Sequence, residues 1–102
     1  METVCPIEEI LVRLSSKWTL LILRHLESNG KCRFNGFLNA LNGISPRTLS
    51  KRLKELEKLT LISKRRFNET PPRVEYRLTP KGRGLIKCFA SLNAWVTKFH
   101  AF

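Results

Sequence analysis

The hydrophobic period of this chain changes at one place and later changes back. Up to Leu59 the apolar residues recur three or four apart, between Ile62 and Leu78 they alternate, and after Thr79 the wider spacing returns. A segment patterned for one period cannot hide its apolar face in the other secondary structure. The chain is therefore expected to be mostly α with a small β-hairpin, an α+β arrangement with helices on both sides of the hairpin.

The helices can be placed by their caps. Pro6 suits the first position of a helix running to about Leu14, with Ile7, Ile10, Leu11 and Leu14 on one face. Ser16 can cap a second, "KWTLLILRHL", which is apolar nearly all round and so reads as a central, buried helix ended by Asn29-Gly30. In "CRFNGFLNAL", Cys32 to Phe34 can be a short extended piece. Asn35 can cap a third helix carrying Leu38 and Leu41, weakened by Gly36. After the turn at Asn42-Gly43, Ser45 and Pro46 form a strong start for a fourth helix, to about Leu59. Two helices joined by a short Gly-containing turn are a helix-turn-helix. Val74, Tyr76 and Leu78 alternate with Arg73, Glu75 and Arg77, a half-buried strand, and Ile62 to Phe67 is its partner. "NETPP" between them cannot continue either strand. Thr79 caps and Pro80 starts the last helix, whose first turns Gly82 and Gly84 loosen. Its band Leu85, Phe89, Leu92, Val96 and Phe99, widened by Cys88, Trp95 and Phe102, is broad for a terminal helix. A helix-turn-helix followed at once by a hairpin is a winged helix.

Charge points to the partner. The net charge is +11, but residues 45–84 hold twelve Lys/Arg against four Glu, a net of +8, while residues 1–44 have a net of +1. Such a local field attracts polyanions, nucleic acid before anionic membrane. On a wheel of the fourth helix, Leu49, Leu53 and Leu56 fall within about 60° of arc, and Arg47, Lys51, Lys54 and Lys58 stand opposite. A helix of this kind fits the major groove of B-DNA with its N-terminal end nearest the bases. Arg47 can pair with guanine, Ser45, Pro46, Thr48 and Ser50 lie beside it, and Lys51 and Lys54 are placed for phosphates. In the wing, Lys64, Arg65, Arg66 and Arg73 surround a tip with Asn68 and Thr70, within reach of the neighbouring minor groove. The plainer readings are a solvated helix and an edge whose cations prevent aggregation. A protein-docking module or a non-specific DNA coat would carry the same charge.

Other classes find little support. A chain of 102 residues suggests one domain, here 1–102, and dimerisation is a common remedy for the modest stability of that size. No nucleophile–base pair, carboxylate pair or phosphate-cradling loop points to an enzyme, and no cofactor is implied. Cys5, Cys32 and Cys88 are odd in number and lack metal spacing, so free thiols, no metal and a reducing compartment are expected. With no spanning run and no signal-like start, a cytoplasmic protein is expected. Cys32 and Cys88 read as packing residues.

Five pieces resemble the HxlR-type winged helix-turn-helix transcription regulators of bacteria and archaea: "CPIEEIL", "KWTLLILRHL", "CRFNGFLNAL", "GISPRTLSKRLKELEKLTLI" and "PPRVEYRLTPKG", in the family's order from residue 5 to about 84. Ser15-Ser16 stand where members often have glycines, and Gly36 where an acidic residue is common. The resemblance implies a homodimer on a two-fold-related double-stranded operator, repressing or activating. Its interface would come from residues 1–14 and 80–102, through Ile7, Leu11, Leu85, Phe89, Leu92, Trp95, Val96 and Phe99. It also implies a sensing thiol at Cys5. A helix start makes a thiol more reactive, while Glu8 and Glu9 within one turn oppose that effect.

Overall fold

The computed structural model describes residues 6 to 100, so Cys5 and Phe102 lie outside the described residues. The elements follow in the order α1 (Pro6–Arg13), α2 (Lys17–Asn29), β1 (Lys31–Arg33), α3 (Phe34–Ala40), α4 (Pro46–Lys58), β2 (Ile62–Phe67), β3 (Arg73–Leu78) and α5 (Pro80–Phe99). The caps read from sequence close three of the helices. Ser16 accepts from the Trp18 amide at 3.3 Å, Ser45 from Thr48 at 3.1 Å and Thr79 from Gly82 at 3.0 Å. Each satisfies one of the backbone donors that a helix start leaves free.

The core gathers one face from each element. Ile22, Leu23 and Leu26 of α2, Phe37 of α3, and Leu49, Leu53 and Leu56 of α4 are all no more than 2% exposed. Truncating one of these leucines to Ala would cost about 2–5 kcal/mol, because the cavity left behind collapses only in part. Four expectations need correction. The second helix is not buried all round: Leu21 is exposed, because α4, α5 and the sheet cover α2 on its other faces only. Asn35 does not cap α3. The strand β1 runs straight into that helix, so Arg33 takes the cap position without a side-chain bond and Asn35 falls in the first turn. The hairpin is not alone, since β1 adds to β3 in a three-stranded antiparallel sheet of order β1-β3-β2. Glu75, the polar member of an alternating strand, is only 4% exposed.

Gly82 is required by packing, where the sequence suggested looseness. A Cβ there would collide with the carbonyl oxygen of Leu61. This contact belongs to a joint between the end of α4 and the start of α5. Thr60 holds a φ of 57°, the left-handed turn that ends α4, and Leu61 closes it by donating to the Leu56 carbonyl at 3.1 Å. A β-branched residue is strained in that region, and three contacts from the α5 side hold it. The Thr79 hydroxyl donates to the Thr60 carbonyl at 2.6 Å, the Thr79 amide donates to the Leu61 carbonyl at 3.0 Å, and Lys81 Nζ reaches the Thr60 hydroxyl at 3.1 Å.

Candidate nucleic-acid interface

The fourth helix separates its two faces as the wheel suggests. Leu49, Leu53 and Leu56 are buried, while Arg47, Lys51, Lys54 and Lys58 are exposed. Among the described residues none of these four cations joins an ion pair. Glu55 is taken by Arg52, which approaches its two oxygens at 2.9 and 3.2 Å. Glu55 is thus drawn to the helix flank, away from the stripe. At the helix start Ser45 Oγ donates to Thr48 Oγ1 at 2.9 Å while accepting the Thr48 amide. Pro46 is exposed and Ser50 half-buried beside them. Ahead of α4, α3 and the turn at Gly43, whose φ is 95°, complete a helix-turn-helix.

Strand register sorts the wing cations by face. Directly opposed residues of an antiparallel pair point to the same side of the sheet. Lys64 lies opposite Tyr76 and Arg66 opposite Val74, so both share the side that packs on the helices, and both are exposed. Arg65 lies opposite Glu75 and Phe67 opposite Arg73, on the outer side. Arg73 is not a free cation. Its Nε stands 3.2 Å from Glu69 and 3.6 Å from Glu75, and its guanidinium lies 4.1 Å from the centre of the Phe67 ring. Arg65 covers the same ring at 4.9 Å. Phe67 is thus a platform under two guanidinium groups, and Arg73 braces the hairpin just below a tip carrying Asn68 and Thr70. Beside Lys64 and Arg66, burial and the charge of Glu57 push the Tyr76 hydroxyl above its ordinary value, with Arg66 opposing.

Residues 13–101 match the HxlR-like helix-turn-helix family. The chain belongs to that family. One relative is the HTH-type transcriptional regulator sll1512 of Synechocystis, 44% identical over 80 residues, which make up 78% of this chain and 58% of that protein. The reduced form of the transcriptional regulator YodB from Bacillus subtilis superposes with a TM-score of 0.84 at 35% identity, over 95% of each chain. The redox regulator HypR in its oxidised form gives 0.81 at 33% identity, over 92% of this chain and 96% of its own. The winged-helix architecture expected from the sequence is therefore that of the HxlR-like family.

The terminal helices carry the apolar surface expected of them, with adjustments. Ile7 and Leu11 on α1, and Leu92, Trp95 and Phe99 on α5, are more than half exposed, and Val96 is half-buried. Val12, which the sequence stripe did not include, is 72% exposed and lines a cleft with Arg52, Glu55 and Lys58 of α4. Leu14 belongs to the core, and Ile10, Leu85 and Phe89 pack partly against it. Cys88 is exposed and so is not a packing residue, whereas Cys32 is half-buried against the core as expected. Cys5 lies outside the described residues. Among the described residues no cluster of His, Cys, Asp or Glu could hold a metal ion, and no helix is long and apolar enough to cross a membrane.

Reading from sequence missed the outer side of the sheet. Lys31, Arg33 and Arg77 join Arg65 and Arg73 there, around the buried Glu75. The signal was available as parity, since Arg73, Glu75 and Arg77 stand two apart. The three-residue strand that adds Lys31 and Arg33 was too short to be paired from sequence alone.

Proposed function

We propose that this HxlR-like protein is a homodimeric, sequence-specific regulator of transcription that reads double-stranded DNA through α4 and its wing in the cytoplasm of a prokaryotic cell. The observation that carries this reading is the unpaired cationic stripe of α4, set opposite the buried leucines and ahead of a cationic hairpin. Arg47, at the exposed N-terminal end, is assigned to a guanine edge, where a forked donor matches O6 and N7. Thr48 and Ser50 hydroxyls flank it, and Lys51 and Lys54 face phosphates. Lys64, Arg66, Asn68 and Thr70 carry the wing's contact with the adjacent groove, while Arg73 and Phe67 hold the hairpin in shape. The dimer forms through the apolar patch of α1 and α5.

Selection of bound duplexes from a random pool, followed by titration, tests the reading. A preferred duplex should bind at least about a thousandfold more tightly than random duplex. Arg47→Ala should remove about 1–3 kcal/mol of discrimination at one base pair of each half-site. Lys51→Ala should weaken all duplexes alike and lower the salt slope by about 1.8, one contact being lost from each protomer. Uniform binding of every duplex would identify a coating protein instead, and absence of binding would identify a docking module.

We further propose that Cys5 couples oxidants or electrophiles to DNA affinity, on the strength of its place before Pro6 and of relatives solved as reduced and oxidised forms. Oxidant should change the affinity of the parent and leave that of Cys5→Ser unchanged. An equal response of both proteins removes the assignment.

A further inference from the structure

Lys31, Arg33, Arg65, Arg73 and Arg77 share the outer side of the sheet with one carboxylate, Glu75. Glu75 is 4% exposed, with Arg73 at 3.6 Å and Lys31 and Arg77 each at 3.9 Å. The carboxylate is buried beneath the cations and its Oε1 has no hydrogen-bond partner, so it anchors them from below and presents almost no negative surface. Five cations over one acid leave this face at +4, or +3 when Glu69 at the tip is included. Arg33 lies opposite Glu75 in register and takes part in no ion pair among the described residues. It also lines a cleft of about 280 Å³ with Lys31, Cys32, Arg73 and Glu75.

The face has the dimensions of a backbone contact. From Arg73 to Arg77 a strand advances about 14 Å at ~3.4 Å per residue, and three strands are about 10 Å across. One strand of a duplex presents about four phosphates over that length. The strip starts at Arg65 and Arg73, under the tip assigned above to the groove, and runs away from it. Its single aromatic side chain, Phe67, lies beneath two guanidinium groups. A protein-docking surface would offer an apolar centre, whereas a duplex needs a polar, cationic one. We propose that the outer side of the sheet is a second nucleic-acid contact, which takes the phosphodiester backbone of the duplex flanking each half-site. This rests on the reading of α4 given above and extends the footprint beyond the bases read.

The test compares two duplexes carrying the selected operator, one ending at the half-sites and one longer by a helical turn at each end. Fluorescence anisotropy across a salt series should give the parent protein about tenfold tighter binding to the longer duplex, with a steeper slope. Lys31→Gln/Arg33→Gln, which leaves Arg73 and Arg77 beside Glu75, should bind the short duplex as the parent does. It should lose the advantage of length, and its slope on the long duplex should fall by about 3.6, two contacts being lost from each protomer of the dimer. Hydroxyl-radical footprints should show the flanks protected by the parent and open with the variant. Equal affinity of the parent for both duplexes overturns the proposal, as does a folded variant that keeps the advantage of length. Either result stands whether or not the face then proves to bind single-stranded RNA or an acidic peptide. Failure of the α4 reading looks different, because the parent then does not discriminate the operator even on the short duplex.

Discussion

Gly82 and Gly84 stand two residues apart in α5 and answer to different constraints. A Cβ on Gly82 would run into the Leu61 backbone, which cannot yield as a side-chain end can, while a Cβ on Gly84 meets nothing within 4 Å. Gly82→Ala should therefore destabilise the fold by about 1–3 kcal/mol or more, as overpacking does. Gly84→Ala should stabilise it by about 0.5–1 kcal/mol, the helix preference of Ala over Gly. Urea unfolding of the two variants checks both signs. Sequence showed two glycines in one helix and could not rank them, since the neighbour that separates them comes from a different element. Cysteines divide in the same way. Burial pushes the Cys32 thiol above its ordinary value, whereas Cys88 lies in the open. The thiolate is the reactive form, so in a Cys5→Ser background a maleimide at neutral pH should label Cys88 well before Cys32. The sign for stability follows from the same shift. The contribution of protonated Cys32 is complete below the ordinary thiol range and is lost as pH rises through the raised folded value. Cys32→Ala should flatten that alkaline decline in thermal melts.

Among the elements, α4 was the most legible because a helix of strict period writes both faces into one stretch of sequence. Ser45, Pro46 and the leucine spacing set its start, its core side and therefore its cationic side. The hairpin strands were legible for the same reason at period two. What stayed hidden depended on partners distant in sequence. Lys31 to Arg33 becomes a strand only through pairing with Glu75 to Arg77, and Glu75 is buried only because cations from two strands close over it. Phe37, the fully buried side chain of α3, sat in a stretch whose period was ambiguous. The wing owes its shape to one such hidden arrangement, the Phe67 ring with the guanidinium groups of Arg65 and Arg73 against it. Cation–π contacts at exposed sites contribute about 0.5–1 kcal/mol each. Phe67→Ala should therefore speed amide exchange through the tip and weaken operator binding, while base preference under α4 stays as in the parent. A shift in base preference would place Phe67 in recognition itself.

At the scale of the whole molecule, the apolar patch on α1 and α5 is the surface that a second copy is proposed to cover. Trp95 is 53% exposed and away from the core, whereas Phe89 rests partly against it. Trp95→Glu should thus leave the melting temperature of the monomer fold nearly unchanged and shift sedimentation to the monomer mass, with operator affinity falling steeply. Phe89→Glu should cost stability as well. An unchanged dimer mass for Trp95→Glu would move the interface elsewhere. The joint where α4 meets α5 gives that interface a further meaning. Thr60, Leu61, Thr79 and Gly82 are tied by backbone and hydroxyl bonds with no room for a methyl group between them. The two helices behave there as the arms of a calliper with a locked pivot. In the proposed dimer, a small rotation of one α5 against its partner would be delivered at full length to the tip of each α4, opening or closing the distance between the two places at which the protein touches DNA.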